Sequence, residues 1–359
     1  MSAARGLVAI RLAYVVGAIA ALLWTQTRPA FGSLLFGAFA HWDAGWFLGI
    51  SHDGYPEASN QSAAFFPLYP LCVRALAFVL RSHLAAGVLI SLASAAGAAA
   101  LLYRLSRSRG AVLLLALYPV AYVFTSVYSD ALFLLLVLAA FDAAVRGRSL
   151  AAGIFGGLAV ATRLLGLALL PALVLLLWRR GPRALAPLLL LPAALLAYML
   201  YLHEHYGDAF AFADAEAVFW QRHTPALGPL EGLWDAARSA QQGLGQLVLH
   251  LPTDGAYTRN DMWATWNVVQ FALLVVAGWL TWVAWRRLGA AYGLYSLATL
   301  VIVLSSPAAV VPLVSLPRFL LADFPLFIVL APYVRTLAPT FAAIGAAAAI
   351  AFAHGRWVA

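Results

Sequence analysis

Residues 111–140 read AVLLLALYPVAYVFTSVYSDALFLLLVLAA, thirty positions with one charged side chain, Asp130. Water cannot solvate such a run, whereas a bilayer can: about 20 mainly apolar residues make one helical crossing. Comparable runs fill the chain from end to end. Of its 359 residues 64% are hydrophobic and 10% charged, with a mean hydropathy of +0.89. A soluble domain carries roughly 45–50% apolar and about 25% charged residues. The composition therefore predicts an all-α, polytopic integral membrane protein and excludes a soluble enzyme with a single anchor. Spans are expected at 7–25, 84–103, 111–127, 131–145, 150–162, 164–178, 184–202, 263–285, 290–306, 319–334 and 337–353, or about eleven (10–12) crossings. With no internal repeat and no linker, residues 1–359 read as a single transmembrane domain.

The net charge of +8 comes entirely from arginine, since the chain has no lysine. These arginines sit in short clusters between apolar runs, which marks cytoplasmic loops rather than a nucleic-acid surface. Arg5 and Arg11 place the N-terminus inside. Arg104, Arg107 and Arg109, then Arg146 and Arg148, then Arg179, Arg180 and Arg183, then Arg286 and Arg287, and finally Arg335 all fall on the same side when the spans are counted. That parity requires segment 66–80, with Pro67, Pro70 and Arg74, to lie in the interface or re-enter rather than cross. Two long stretches then face outward together, outer loop 1 (about 26–83) and outer loop 2 (about 203–262), joined by a short piece at 307–318. Both long loops are expected to carry interfacial helices. The N-terminal run has no small-residue cleavage site near 24–29 and reads as a retained first helix. Cys72 is the sole cysteine, so no intramolecular disulfide forms.

Most acidic residues lie on the outward side. Asp43 stands between Trp42 and Trp46, in a setting suited either to a general base for a sugar hydroxyl or to a helix cap inside an aromatic interface belt. Arg163 and Arg318 are arginines at membrane depth near the outer surface, where a guanidinium fork suits a phosphate; snorkelling to the interface is the plainer alternative. Asp130 is a second acidic group or an N-cap. Asp323 is a candidate partner for Arg318, and His203-Glu204-His205 is a weak metal-binding pattern.

Taken together, His41-Trp42-Asp43-Ala44-Gly45-Trp46-Phe47, Gly54-Tyr55-Pro56 and Ala64-Phe65-Phe66-Pro67-Leu68-Tyr69-Pro70 resemble the PIG-V family, the second mannosyltransferase of GPI-anchor synthesis and its prokaryotic relatives. Tyr128-Ser129-Asp130, Ala161-Thr162-Arg163 with Gly166, Gly207-Asp208 with Phe212 and Trp220, and Pro317-Arg318-Phe319 with Phe324-Pro325 resemble further motifs of that family in the expected order. The resemblance implies the GT-C fold: a polytopic membrane glycosyltransferase that uses a lipid-phosphate sugar. It implies Asp43 as catalytic base, and Arg163 and Arg318 as binders of the donor phosphate. Trp42, Trp46 and His41 are expected beside the sugar, as are Tyr55, Tyr69, Asp130 and Trp220. The implied reaction is inverting transfer of mannose from polyprenyl-phosphate-mannose to a glycolipid or glycan acceptor, at the extracytoplasmic face of the cell membrane. The outer loops are compact for the family, and lipomannan-type lipids, cell-wall glycans and proteins all stay open as acceptors. No cofactor is called for, although a divalent cation bridging the phosphate stays open. Alternatives are a GT-C transferase for another polyprenyl-phosphate sugar, a lipid-linked sugar transporter or flippase, and a non-catalytic membrane subunit.

Overall fold

The computed structural model describes residues 3–25, 34, 38–249 and 259–356, and the chain is all-α throughout them. Residues 26–33 and 35–37 of outer loop 1 and 250–258 of outer loop 2 lie outside the described residues. Among those described, the extended backbone pairs in one isolated bridge, between Arg222 and Ala308. In chain order the helices are α1 (Ala3–Thr25), α2 (Asp43–Asp53), α3 (Leu68–Leu80), α4 (His83–Ser106), α5 (Arg109–Leu117), α6 (Asp130–Val145), α7 (Ser149–Thr162), α8 (Leu169–Leu177), α9 (Pro182–Tyr206), α10 (Ala211–Trp220), α11 (Pro229–Leu249), α12 (Arg259–Leu288), α13 (Ala290–Leu304), α14 (Leu316–Leu321), α15 (Phe324–Leu330) and α16 (Val334–Ala353).

Four of these helices, α1, α4, α9 and α12, are long and apolar enough to cross a bilayer, as is the helical stretch Phe324–Ala353 that contains α15 and α16. The other expected spans are shorter or broken. Pro119 and Ser126 bracket a 3₁₀ turn, Ala121–Thr125, inside the expected span 111–127. The expected span 164–178 opens with the turn Leu164–Ala168 before α8, and 319–334 is interrupted between α14 and α15. Segment 66–80 forms α3, whose 13 residues reach only about 20 Å, too short to cross upright. Arg74 on α3 donates to the carbonyls of Ser51 (2.7 Å) and His52 (3.0 Å), satisfying the C-terminal end of α2.

The stretch Phe324–Ala353 is not one straight rod. The Tyr118 ring touches both Phe327 (5.3 Å) and Phe341 (5.7 Å), residues that a straight helix would hold about 21 Å apart. The chain therefore reverses at the turn Ala331–Tyr333, just before Arg335. Charged residues collect at opposite ends of α6. Asp142, near its C-terminus, pairs with Arg104 and with Arg146 (3.0 Å), whereas Asp130 opens the helix about 18 Å away along the axis.

Small residues let the helices that carry the site approach closely. A Cβ on Gly153 of α7 would stand 2.2 Å from the Pro187 carbonyl oxygen of α9, and one on Gly166 would stand 2.5 Å from the Val160 backbone nitrogen. The turn after Arg163 thus folds directly back on α7, which close packing in a membrane requires. In outer loop 2, α10 packs on the turn Asn60–Ala64, and α11 lays Gly232, Ala236, Ala240 and Gly243 against its neighbours. The opposite face of α11 exposes Leu230, Trp234 and Val248.

Candidate active site

The turn that presents Asp43 is set by Trp42, which takes a left-handed φ of 58°. A bulky side chain seldom adopts that conformation, and holding it costs on the order of 1–3 kcal/mol. Asp43 then begins α2, where the helix dipole favours a carboxylate. Asp130 begins α6 in the same manner. Arg163 is the extended residue between α7 and the turn Leu164–Ala168, and Arg318 lies in the first turn of α14.

Four helices thereby deliver four charged groups to one place. Arg318 is the bridge. Its Nε donates to both carboxylate oxygens of Asp130 at 3.1 Å, and its Nη1 donates to Asp43 Oδ2. Arg163 Nη1 donates to Asp130 Oδ1. Asp130 is buried, while Asp43 keeps 18% side-chain exposure toward the cavity. The Arg318 guanidinium lies 4.7 Å from the centre of the Tyr128 ring, and that of Arg163 lies 5.7 Å from Phe319. Such cation–π contacts hold the arginines in place without using their N–H groups.

A second pair stands across the cavity. Glu216 on α10 meets Arg222 Nε at 2.9 Å. Arg222 also donates to the carbonyls of Ser306 (2.6 Å) and Val314 (3.0 Å), and its guanidinium lies 5.7 Å from the Phe319 ring. The enclosing walls desolvate Glu216 and push its carboxyl above the ordinary range, with the charge of Arg222 opposing. Burial likewise pulls Arg222 down, and Glu216 opposes that.

The cavity between the two groups measures about 660 Å³. Asp43, Arg163, Arg318, Glu216 and Arg222 line it, together with the aromatic Phe47, Phe65 and Trp220 and the aliphatic Leu165, Ile302 and Val303. One cavity thus combines fixed cations, a partly exposed carboxylate, aromatic rings and an aliphatic wall. Among the described residues no cluster of three metal-ligating side chains forms.

Of the expected site residues, Asp43, Arg163, Arg318 and Trp220 line this cavity. Asp130 lies behind it as the shared anion of both arginines; its side chain caps no helix. The remaining aromatic expectations fall elsewhere. Trp42 points outward with 51% exposure. His41 contacts the Ala353 carbonyl at 3.2 Å and packs edge-on against Phe352. Trp46 stacks on Phe65 at 5.7 Å and so backs the wall instead of forming it. Tyr55 donates to the Phe65 carbonyl at 2.6 Å. Tyr69 is fully buried, donates to the Gly87 carbonyl at 3.1 Å and meets Ser91 at 2.9 Å, so it pins α3 to α4. Asp323 is not the partner of Arg318; it accepts from Ser296 at 2.5 Å inside the bundle. His205 rests on the Tyr55 carbonyl at 3.0 Å. Glu216 and Arg222 were absent from the sequence-based expectation, because neither belongs to a motif and outer loop 2 holds other acidic residues and arginines, such as Glu231, Asp235, Arg238 and Arg259, that look the same in sequence.

Residues 29–188 match the family model described as Mannosyltransferase (PIG-V). The match supports the PIG-V resemblance and, with it, a mannosyltransferase activity. No curated protein and no solved structure matches the chain. The PIG-V region contains Asp43, Asp130 and Arg163, whereas Glu216, Arg222 and Arg318 lie beyond it and join the site through the fold. A PIG-V mannosyltransferase is a glycosyltransferase with a sugar donor and a glycan or lipid acceptor in the membrane, and the apolar helices here fit a multi-pass membrane protein.

Proposed function

We propose that the cavity carries out inverting transfer of mannose from polyprenyl-phosphate-mannose to a glycolipid or glycan hydroxyl at the extracytoplasmic face. The observation that carries this reading is Arg318, which joins Asp43 to Asp130 beside Arg163 on one wall of the cavity. In the proposed reaction the donor phosphodiester lies against Arg163 and Arg318, which match its oxygens as planar forks. Asp43 takes the proton of the acceptor hydroxyl. The acceptor oxygen attacks the anomeric carbon as the carbon–phosphate oxygen bond breaks, giving an α-mannoside from a β-linked donor. The electron pair leaves with polyprenyl phosphate, which changes from monoanion to dianion. As Asp43 becomes neutral, one negative charge passes from the base to the leaving group, and the arginines stabilise it there. The aliphatic wall at Leu165, Ile302 and Val303 suits the first isoprene units.

The test uses purified protein in lipid nanodiscs with radiolabelled polyprenyl-phosphate-mannose and a membrane-lipid acceptor extract. Wild type should form labelled glycolipid, and Asp43→Asn should lower the rate by about 10²–10⁴-fold. Transfer at the wild-type rate by Asp43→Asn would remove Asp43 as base. Transfer from a glucose donor in place of mannose would reassign the sugar.

A further inference from the structure

Once Asp43, Arg318, Asp130 and Arg163 are assigned, two carboxylates still line the cavity, Asp214 at an exposed position and Glu216, which is held by a buried arginine. Glu216 shares a helical face with Ala213, Ala217 and Trp220, and all four line the space. Its partner is immobile: Arg222 is 8% exposed, with Nε on Glu216, Nη1 on Ser306 and Nη2 on Val314. Each of its three nitrogens thus holds a protein partner, which fixes the guanidinium in place. It holds Glu216 Oε2 at 2.9 Å and fixes the direction of the carboxylate.

A purely structural Glu216 would only have to neutralise Arg222, and a neutralising partner gains nothing from facing open space. Yet the Glu216 side chain keeps 40% exposure. Among the described residues no second side chain bonds to it, so Oε1 remains able to accept. Trp220 lies one helical turn further along and packs 5.9 Å from the Phe65 ring, beside the carboxylate. A carboxylate that accepts hydroxyls, next to an indole that covers a C–H face, is sugar-binding chemistry.

Two sugars meet in the proposed reaction, and they are recognised differently. The donor brings a phosphate, whose charge Arg163 and Arg318 can hold. The acceptor hydroxyl end brings no charge, so its position must come from hydrogen bonds and ring contacts. Glu216 stands on α10, an element of outer loop 2 separate from those that carry both phosphate-facing arginines. We propose that Glu216, held by Arg222, binds a hydroxyl of the acceptor sugar and sets acceptor specificity; this rests on reading the cavity as a mannosyltransferase site.

The test compares wild type, Glu216→Gln and Glu216→Asp in nanodiscs, with short-chain polyprenyl-phosphate-mannose as donor. The acceptor probes are octyl α-mannoside, octyl glucoside, octyl galactoside and their monodeoxy derivatives. For the best acceptor, Glu216→Gln should lower kcat/KM about 10–100-fold, the range expected for one hydrogen bond to a charged group, with donor KM within about twofold of wild type. One monodeoxy derivative, lacking the bonded hydroxyl, should be used equally by wild type and Glu216→Gln. Glu216→Asp keeps the charge facing Arg222 and should show a smaller loss confined to the acceptor, which decides the matter if Glu216→Gln does not fold. A uniform loss across every acceptor and deoxy derivative, or a rise in donor KM alone, would overturn the assignment while leaving mannosyl transfer standing. Absence of transfer by wild type to every probe and to the lipid extract would overturn the transfer reading, and the Glu216 assignment with it.

Discussion

Asp130→Asn is the sharpest perturbation of the charge cluster, because among the described residues Asp130 is the one carboxylate bonded to both Arg163 and Arg318. The substitution keeps the shape of the side chain and removes its charge. One oxygen still accepts, but the amide nitrogen now points a donor at a guanidinium donor. Of the three contacts, from Arg163 Nη1 and twice from Arg318 Nε at 3.1 Å, at least one is lost. Two guanidiniums then face Asp43 alone, and a net positive charge stays buried. Removing one partner of a buried ion pair costs about 3–5 kcal/mol, and the 5% exposure of Asp130 places it in that class. The wild-type and variant proteins would be unfolded by SDS titration in mixed micelles and followed by tryptophan fluorescence. The double variant Asp130→Asn/Arg163→Gln restores neutrality, so it should be less destabilised than the sum of its parts by about 1.5 kcal/mol or more. A loss below about 1 kcal/mol for Asp130→Asn, or an additive cycle, would show that the cluster is solvated and that its charges are not coupled as argued.

Three further outcomes are expected. Arg318→Lys keeps a charge but cannot serve Asp130 and Asp43 together as a planar fork, so donor turnover should fall about 10-fold or more with donor KM raised; unchanged kinetics would remove Arg318 from the phosphate site. Acceptor kcat/KM should decline on the acid side at a pH above the usual carboxylate range, because Glu216 is pushed up and its neutral form persists to higher pH, and this limb should vanish in Glu216→Gln. In a Cys72→Ser background, Glu57→Cys should react with an impermeant thiol reagent from outside and Arg148→Cys only from inside, since both positions are exposed; the opposite labelling would invert the proposed orientation.

The fold class and three of the charged site residues were legible because each rests on a local signal. The run 111–140 is unambiguous in water or lipid, and Asp43, Arg163 and Arg318 are costly where they stand unless something uses them. The partners were less legible. Asp323, five residues after Arg318, was a candidate partner for it, yet across the break between α14 and α15 Asp323 goes to Ser296 and Arg318 to Asp130, 188 positions away. Apart from Trp220, the expected aromatic residues stand off the cavity for a related reason. Tyr69 and His41 sit in the same motifs as the site, but a motif records everything needed to build the loop. Tyr69 pins α3 to α4 and His41 ties the loop to the end of α16, so both position the site without lining it. Helix ends were lost wherever a turn such as Ala121–Thr125 or Leu164–Ala168 interrupts an apolar run that hydropathy alone reads as continuous.

Charge pairing holds the cluster together and indicates how it would respond to a donor. Three carboxylates, Asp43, Asp130 and Glu216, pair with three guanidiniums, Arg163, Arg318 and Arg222, so each of these cations has an anion, and Asp214 lines the cavity besides. Arg222 is anchored through all three nitrogens to two backbone carbonyls and Glu216, and Asp130 is buried behind its two arginines. The contact most open to exchange is that between Arg318 Nη1 and Asp43, the more exposed of the two anions Arg318 holds, at 18% against 5%. An arriving phosphodiester would therefore compete for Nη1 at this bond before any other. Taking Nη1 would leave Asp43 Oδ2 free to accept from an acceptor hydroxyl, with Nε still on Asp130 to keep Arg318 in place. Under the proposed reaction, donor binding and the readiness of Asp43 for an acceptor hydroxyl are coupled through Arg318, the residue that bonds to Asp43 and that the phosphate would engage.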